Sequence, residues 1–162
     1  MVIVSPELNR RMRAIPRLIS AEVKPVMEAC AAELVALMQA LVPVDEGDLR
    51  ASIGWAWGSA PKGAMVLDSV EAKKNASDRI VIYAGDPVAF YARFVEFGTQ
   101  AHAVGAGSDV AKASGKSGAQ SGAMHPGARA QPFFWPAYRA KKKSIRRRIA
   151  DAVRRGIANS NR

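Results

Sequence analysis

The hydrophobic pattern of this chain changes period between Leu41 and Ile53, and that change constrains the fold more than any other feature. On the N-terminal side Val23, Val26, Met27, Cys30, Leu34, Leu37, Met38 and Leu41 recur at steps of three and four, with Glu22, Glu28, Glu33 and Gln39 off that line. Such spacing gathers the apolar side chains on one stripe of a long helix. On the C-terminal side Ile53, Trp55 and Trp57 alternate with Ser52, Gly54, Ala56 and Gly58, the period of a strand with one packed face. A long amphipathic helix that runs straight into strands buries its stripe by lying on the sheet they form, so the pattern predicts an α+β fold.

Boundaries follow from the punctuation. Ser5, Pro6 and Glu7 predict a short helix or arm over residues 1–19, with proline at a first helical position. Pro25 marks the start of the main helix or kinks it, and Pro43 helps to end it, which places that helix at residues 20–42. After the first strand, Pro61-Lys62-Gly63 is a turn, residues 64–70 read as a second strand, 73–78 as a polar connection and 79–85 as a third strand. Ile80, Val81, Ile82 and Tyr83 suit a central strand, and the short connections predict a small antiparallel meander. Asp86-Pro87 opens a short aromatic helix carrying Phe90, Tyr91, Phe94 and Val95, which Gly98 ends. From Gln100 to Ala130, nineteen of the thirty-one residues are Gly, Ala or Ser, too little apolar surface to offset the chain entropy of ordering, so residues 100–131 are expected to be a flexible loop. Residues 132–162 read as a basic C-terminal helix with Ile145, Ile149, Val153 and Ile157 in a narrow apolar stripe. The whole, residues 1–162, is expected to be one domain with its core in 20–99.

Charge separates body from tail. The net charge is +10, yet Arg139 to Arg162 holds ten Lys/Arg against one Asp, leaving the first 138 residues close to neutral. A basic segment on a neutral body is a local device for an acidic partner or for phosphate. The single cysteine, Cys30, forms no internal disulfide and suits a reducing cytoplasm. No apolar stretch reaches the ~18 residues of a spanning helix, and Met1-Val2-Ile3-Val4 is too short for a signal-peptide core, so no membrane association is expected.

The readings that would make this chain an enzyme are weak. Gly115-Lys116-Ser117 resembles the end of a phosphate-binding loop, but position 110 is valine where glycine is required and no strand feeds it. Asp45, Glu46 and Asp48 lack the alternating oxygen ladder of a calcium loop and read as capping residues of a helix-to-strand turn. His102 and His125 read as loop histidines and Cys30 as a core residue. Glu96, set among Phe94, Val95 and Phe97, needs a partner: Arg50, Arg93 or backbone amides fit better than acid–base chemistry. Trp55 and Trp57 suit core or subunit packing better than base stacking. No catalytic residue, metal or cofactor is expected.

Three islands carry a further signal. A long helix ending in Val42-Pro43-Val44-Asp45-x-Gly47-x-Leu49-Arg50-x-Ser52-Ile53, then strands, then Tyr91-Ala92-x-x-Val95-Glu96-Phe97-Gly98-Thr99, then Pro132-Phe133-Phe134-x-Pro136-Ala137, resembles the tail-completion or tail-terminator (head–tail joining) proteins of long-tailed lambda-like and HK97-like phages and of gene transfer agents. The resemblance covers about residues 20–155. It implies an α+β virion protein, assembled in the bacterial cytoplasm, that forms a sixfold homo-oligomeric ring in the neck, terminates the tail tube and meets the head-completion, stopper or connector protein. Val44, Asp45, Gly47, Leu49, Arg50, Ile53, Tyr91, Glu96, Phe97, Gly98, Thr99, Pro132, Phe133, Phe134 and Pro136 would then be structural-joint residues, with Val44 to Ile53 fixing the helix to the sheet and Gly98, Thr99 and the Pro132–Trp135 segment bracing the long loop. Candidate partner-binding residues are Trp55, Trp57, Gly105, Gly107 and Lys116, together with Lys141, Lys142, Lys143, Arg146, Arg147 and Arg148, which would face a neighbouring ring or contact channel DNA without sequence preference. The competing reading is a nucleic-acid-binding accessory protein acting through the C-terminal helix alone.

Overall fold

A computed structural model describes residues 6–66, 79–104 and 123–160. Helix α1 runs from Pro6–Leu41, the short α2 from Asp48–Ala51, and strand β1 from Gly54–Trp57. Strands β2 (Met65–Val66) and β3 (Ile80–Ala84) precede α3 (Ala92–Phe97). A two-stranded ladder, β4 (His102–Val104) and β5 (Ala123–His125), leads into α4, Phe134–Ser160. The α+β architecture anticipated from the change of period is therefore present: the long N-terminal helix packs on a small antiparallel sheet, followed by an aromatic helix and a basic C-terminal helix.

The order within the sheet departs from a meander. β3 lies in the middle, antiparallel to β1 on one side and β2 on the other, with Trp55 opposite Ile82 and Met65 opposite Ala84. Only the Ile80–Tyr83 run supplies enough β-branched and aromatic surface for a strand paired on both edges. β2 reaches just Met65–Val66 among the described residues; the remainder of that expected strand and the 73–78 connection lie outside them.

Two boundary expectations are corrected. α1 is one continuous helix of 36 residues, about 54 Å long at 1.5 Å per residue, with Pro16 and Pro25 inside it, so the arm and the main helix are a single element. An interior proline removes an amide donor and costs on the order of 3 kcal/mol; packing along α4 offsets that cost, as tertiary contact does for most helices. The flanks of the 100–131 segment are also ordered: β4 and β5 pair His102 with His125 and Val104 with Ala123, and Thr99 bridges to Ala128. Residues 105–122 lie outside the described residues.

The core is a cluster of Leu34, Met38 and Val42 from α1, Leu49 and Ile53 from the joint, and Phe133, Phe134 and Ala137 from the start of α4. Ala84, Ala89 and Ala92 complete it, small side chains that leave room for two fully buried phenyl rings set edge-to-face, 6.2 Å apart. α1 and α4 pair antiparallel: Glu33 accepts from Arg148 at 2.6 Å and faces Lys141, while Glu22 meets Arg155 and Asn159 eleven residues earlier. Beside the second clasp the helices close tightly, since a Cβ on Gly156 would sit 2.8 Å from the Cα of Ile19.

Candidate docking face

The second and third islands meet at Glu96. This residue is 3% exposed, and its carboxylate accepts from the amides of Phe133 and Phe134 at 2.8 Å and of Trp135 at 3.0 Å. These amides belong to Phe133, immediately before α4, and to the first two residues of α4, donors that have no partner within the helix. α4 has no Ser, Thr, Asp or Asn beside its start; its anionic cap comes from α3, nearly forty residues away, and sits at the positive end of the helix dipole. Neither Arg50 nor Arg93 serves as the partner. Gln131 adds an amide bond to the Val95 carbonyl at 2.8 Å, so α3 is held rigidly against α4.

What α3 presents outward follows from that anchoring. Ala92 and Glu96, one turn apart, point into the core, which forces Arg93, Phe94 and Phe97 to the opposite side. Asp86 shapes the entry by accepting from the amides of Val88 and Ala89, burying Ala89 while Val88 and Phe90 project. Gly98 ends α3 at φ 72°, and a Cβ there would lie 2.7 Å from the Ala128 carbonyl oxygen; only glycine lets the chain turn and also run this close to residue 128. Thr99 then exchanges backbone bonds with Ala128 and accepts the same amide through Oγ1 at 2.8 Å.

Phe90, Phe94 and Phe97 therefore remain 66%, 50% and 58% exposed. Large aromatic side chains left in water on a rigid support mark a contact surface. Open grooves flank them: one runs past Met65, Val66, Phe90 and Trp135, the other past Phe94, Gln100, His102 and His125, and Arg93 and Phe97 line both. His102 and His125, far apart in sequence, stack across β4 and β5 with ring centroids 5.1 Å apart. Gly127 donates its amide to Nδ1 of His125, which fixes that ring against the turn.

The family model described as "Bacteriophage HK97-gp10, putative tail-component" matches residues 6–98, more than half of the chain, from the start of α1 to the glycine that ends α3. The chain belongs to this HK97-gp10-like family. It is thus a phage tail component, a part of the virion whose work is contact with other phage proteins, and such a structural role argues against catalysis. No curated protein and no solved structure matches the chain. Because the match ends at Gly98, the Pro132–Ala137 island and α4 lie beyond it.

In this HK97-gp10-like protein the other residues singled out from sequence fall into separate places. Leu49, Ser52 and Ile53 are buried at the joint, where Ser52 Oγ donates to the Leu49 carbonyl and accepts from the Gly85 amide. Gln39 of α1 donates to the carbonyls of Arg50 and Ile53, tying the long helix to the joint. The acidic turn does not cap with its side chains: Gly47, at φ 98°, occupies the cap position without a side-chain bond, and Asp48 sits in the first turn of α2. Val44, Asp45 and Glu46 are exposed. Trp57 donates to Glu28 at 3.0 Å and lies under Lys24, so it is engaged with α1, while Trp55 is half-buried beside it on the strand. Tyr91 packs against the core and Pro132 is exposed; Pro136 occupies the first turn of α4, where a missing amide is harmless. Gly105, Gly107 and Lys116 lie outside the described residues.

The basic run divides. Lys141 and Arg148 face Glu33, and Lys142 sits over the Tyr138 ring at 5.5 Å, whereas Lys143, Arg146 and Arg147 are exposed. The Arg148 hydrogen bond holds the Glu33 carboxyl below its ordinary range and in turn raises the guanidinium. Burial beneath the α1–α4 pair pushes the Cys30 thiol up, the environment of an inert packing residue. Among the described residues no three His, Cys, Asp or Glu side chains are grouped to hold a metal ion, and no helix is long and apolar enough to cross a membrane.

Proposed function

We propose that this tail component is the neck protein that ends the tail tube and joins the tail to the head. In this reading copies of the chain form a homo-oligomeric ring of six in a siphovirus or gene transfer agent, with the tail-tube protein on one side and the head-completion, stopper or connector protein on the other. The observation that carries it is the α3 face. Phe90, Phe94 and Phe97 project from a helix whose inner side is locked through Glu96 to the first turn of α4. A rigid aromatic patch flanked by open grooves is the form of an interface core awaiting a partner. The β4–β5 ladder beyond Gly98 continues the same surface, with His102 and His125 lining the second groove.

The test is the native mass of the purified protein by light scattering, alone and with tail-tube protein, beside Phe94→Asp/Phe97→Asp. Both positions face solvent, so the double variant should melt as the parent does. The parent should form closed rings, alone or on tubes, and the variant should stay monomeric and leave tubes bare. Monomers of both that ignore tubes would contradict the reading.

A further inference from the structure

The structure sorts the cations of α4 into two sets. Lys141, Arg148 and Arg155 turn toward α1 and meet Glu33 and Glu22; they hold the helix pair together. Arg139, Lys143, Arg146 and Arg147 are exposed, and none of the four has an acidic partner among the described residues. At 3.6 residues per turn, positions 139, 143, 146 and 147 fall on one face, opposite the line of Phe134, Ala137, Ala152 and Gly156 that is buried. Arg154 extends the row by two turns, though Asp151 neutralises it in part at 2.6 Å. The four span about 12 Å of axis on a helix held at its start by Glu96 and along its length by α1.

We propose that this outward row grips duplex DNA by its phosphate backbone, without reading sequence. The composition of the face selects this occupant over an acidic protein. Over residues 139–150 the other exposed residues are Ala140, Ser144 and Ala150, so this stretch carries no exposed aromatic or large aliphatic anchor, the exposed Ile157 lying beyond it, and a protein interface without such a core is weak. Nor does it offer Asn or Gln, the side chains that read adenine edges. Linear, mainly arginine charge on a straight support matches the regular phosphate spacing of a duplex. The surface is separate from the aromatic face of α3, and the proposal stands whether or not the chain forms a ring.

The experiment is fluorescence anisotropy of the full chain with a labelled 30-base-pair duplex between 50 and 200 mM salt. Four phosphate contacts give a slope near −3.6 in log K against log salt, a loss of about 10²-fold across that range. Arg146→Ala/Arg147→Ala should reduce the slope by about 2, two duplexes of different sequence should bind alike, and Arg155→Ala, which removes a cation committed to Glu22, should leave the slope unchanged. Arg139→Gln/Lys143→Gln provides an equivalent pair should the first fail to fold. The proposal is overturned by absence of binding at 50 mM, by salt-insensitive binding, by equal losses from Arg155→Ala and the row variants, or by polyglutamate of matched charge binding as tightly as DNA.

Discussion

Glu96 organises more of this molecule than any other side chain. Three amides at the start of α4 depend on one buried carboxylate, and each buried donor left without an acceptor costs about 1–3 kcal/mol. Glu96→Ala should therefore lose about 3 kcal/mol in urea unfolding, with part of the exposed amide set rescued by water. Glu96→Gln should lose about 1 kcal/mol, because a single carbonyl oxygen can still serve two of the donors. If both substitutions were silent, the cap would not be what holds α3 to α4. The partner was only half legible in sequence. A lone carboxylate among Phe94, Val95 and Phe97 announces a need for satisfaction, and the start of α4 announces a missing local cap, but nothing in linear spacing joins residues 96 and 133. Similarly, His102 and His125 read as unrelated loop residues because their pairing depends on a ladder closing around a long insertion.

At the scale of elements, the pairing of α1 with α4 was the main thing hidden. The sequence stripe of Ile145, Ile149, Val153 and Ile157 consists of large aliphatics, yet Ile157 stays exposed while Ala137, Ala152 and Gly156 are buried. Small residues let the axes approach, and a search for bulky periodicity passes over them. Gly156→Leu should push the helices apart at Ile19, costing about 1–3 kcal/mol by overpacking, and should speed maleimide labelling of Cys30 at neutral pH as the pair opens. An unchanged melting curve and a silent thiol would place the close approach elsewhere. The clasp between Glu33 and Arg148 has a defined pH dependence. Its folded-state carboxyl titrates below the ordinary glutamate value of roughly 4.3, so its contribution is complete above that value and fades as pH falls through the lowered one. The melting temperature of Glu33→Gln should accordingly lie below that of the parent at pH 7, with the gap closing in acid; a gap constant with pH would deny the ion pair its role. By contrast, the α+β class, the central strand and the short aromatic helix are legible, because change of period, turn residues and β-branched runs are local properties. The strand order was not, since it depends on which strand has both edges worth pairing.

Across the whole molecule the surface divides by chemistry. An HK97-gp10-like body of α1, the sheet and α3 presents aromatic side chains to protein neighbours, while the outer face of α4, beyond the matched region, presents arginines. The neutral body and basic tail seen in the charge distribution thus correspond to two faces of different chemistry, and the Glu96 cap together with the α1–α4 clasps sets their relative orientation. The role proposed for this protein is to stop the tail tube and cap it. The most direct measurement is the length distribution of tail tubes assembled with and without the protein, read from negative-stain images that also show whether density sits at one tube end. Tubes of uniform length with a ring at the head-proximal end are expected when the protein is present, and overlong, uncapped tubes when it is absent or carries Phe94→Asp/Phe97→Asp. Identical length distributions in its presence and absence, with bare tube ends in both, would contradict it.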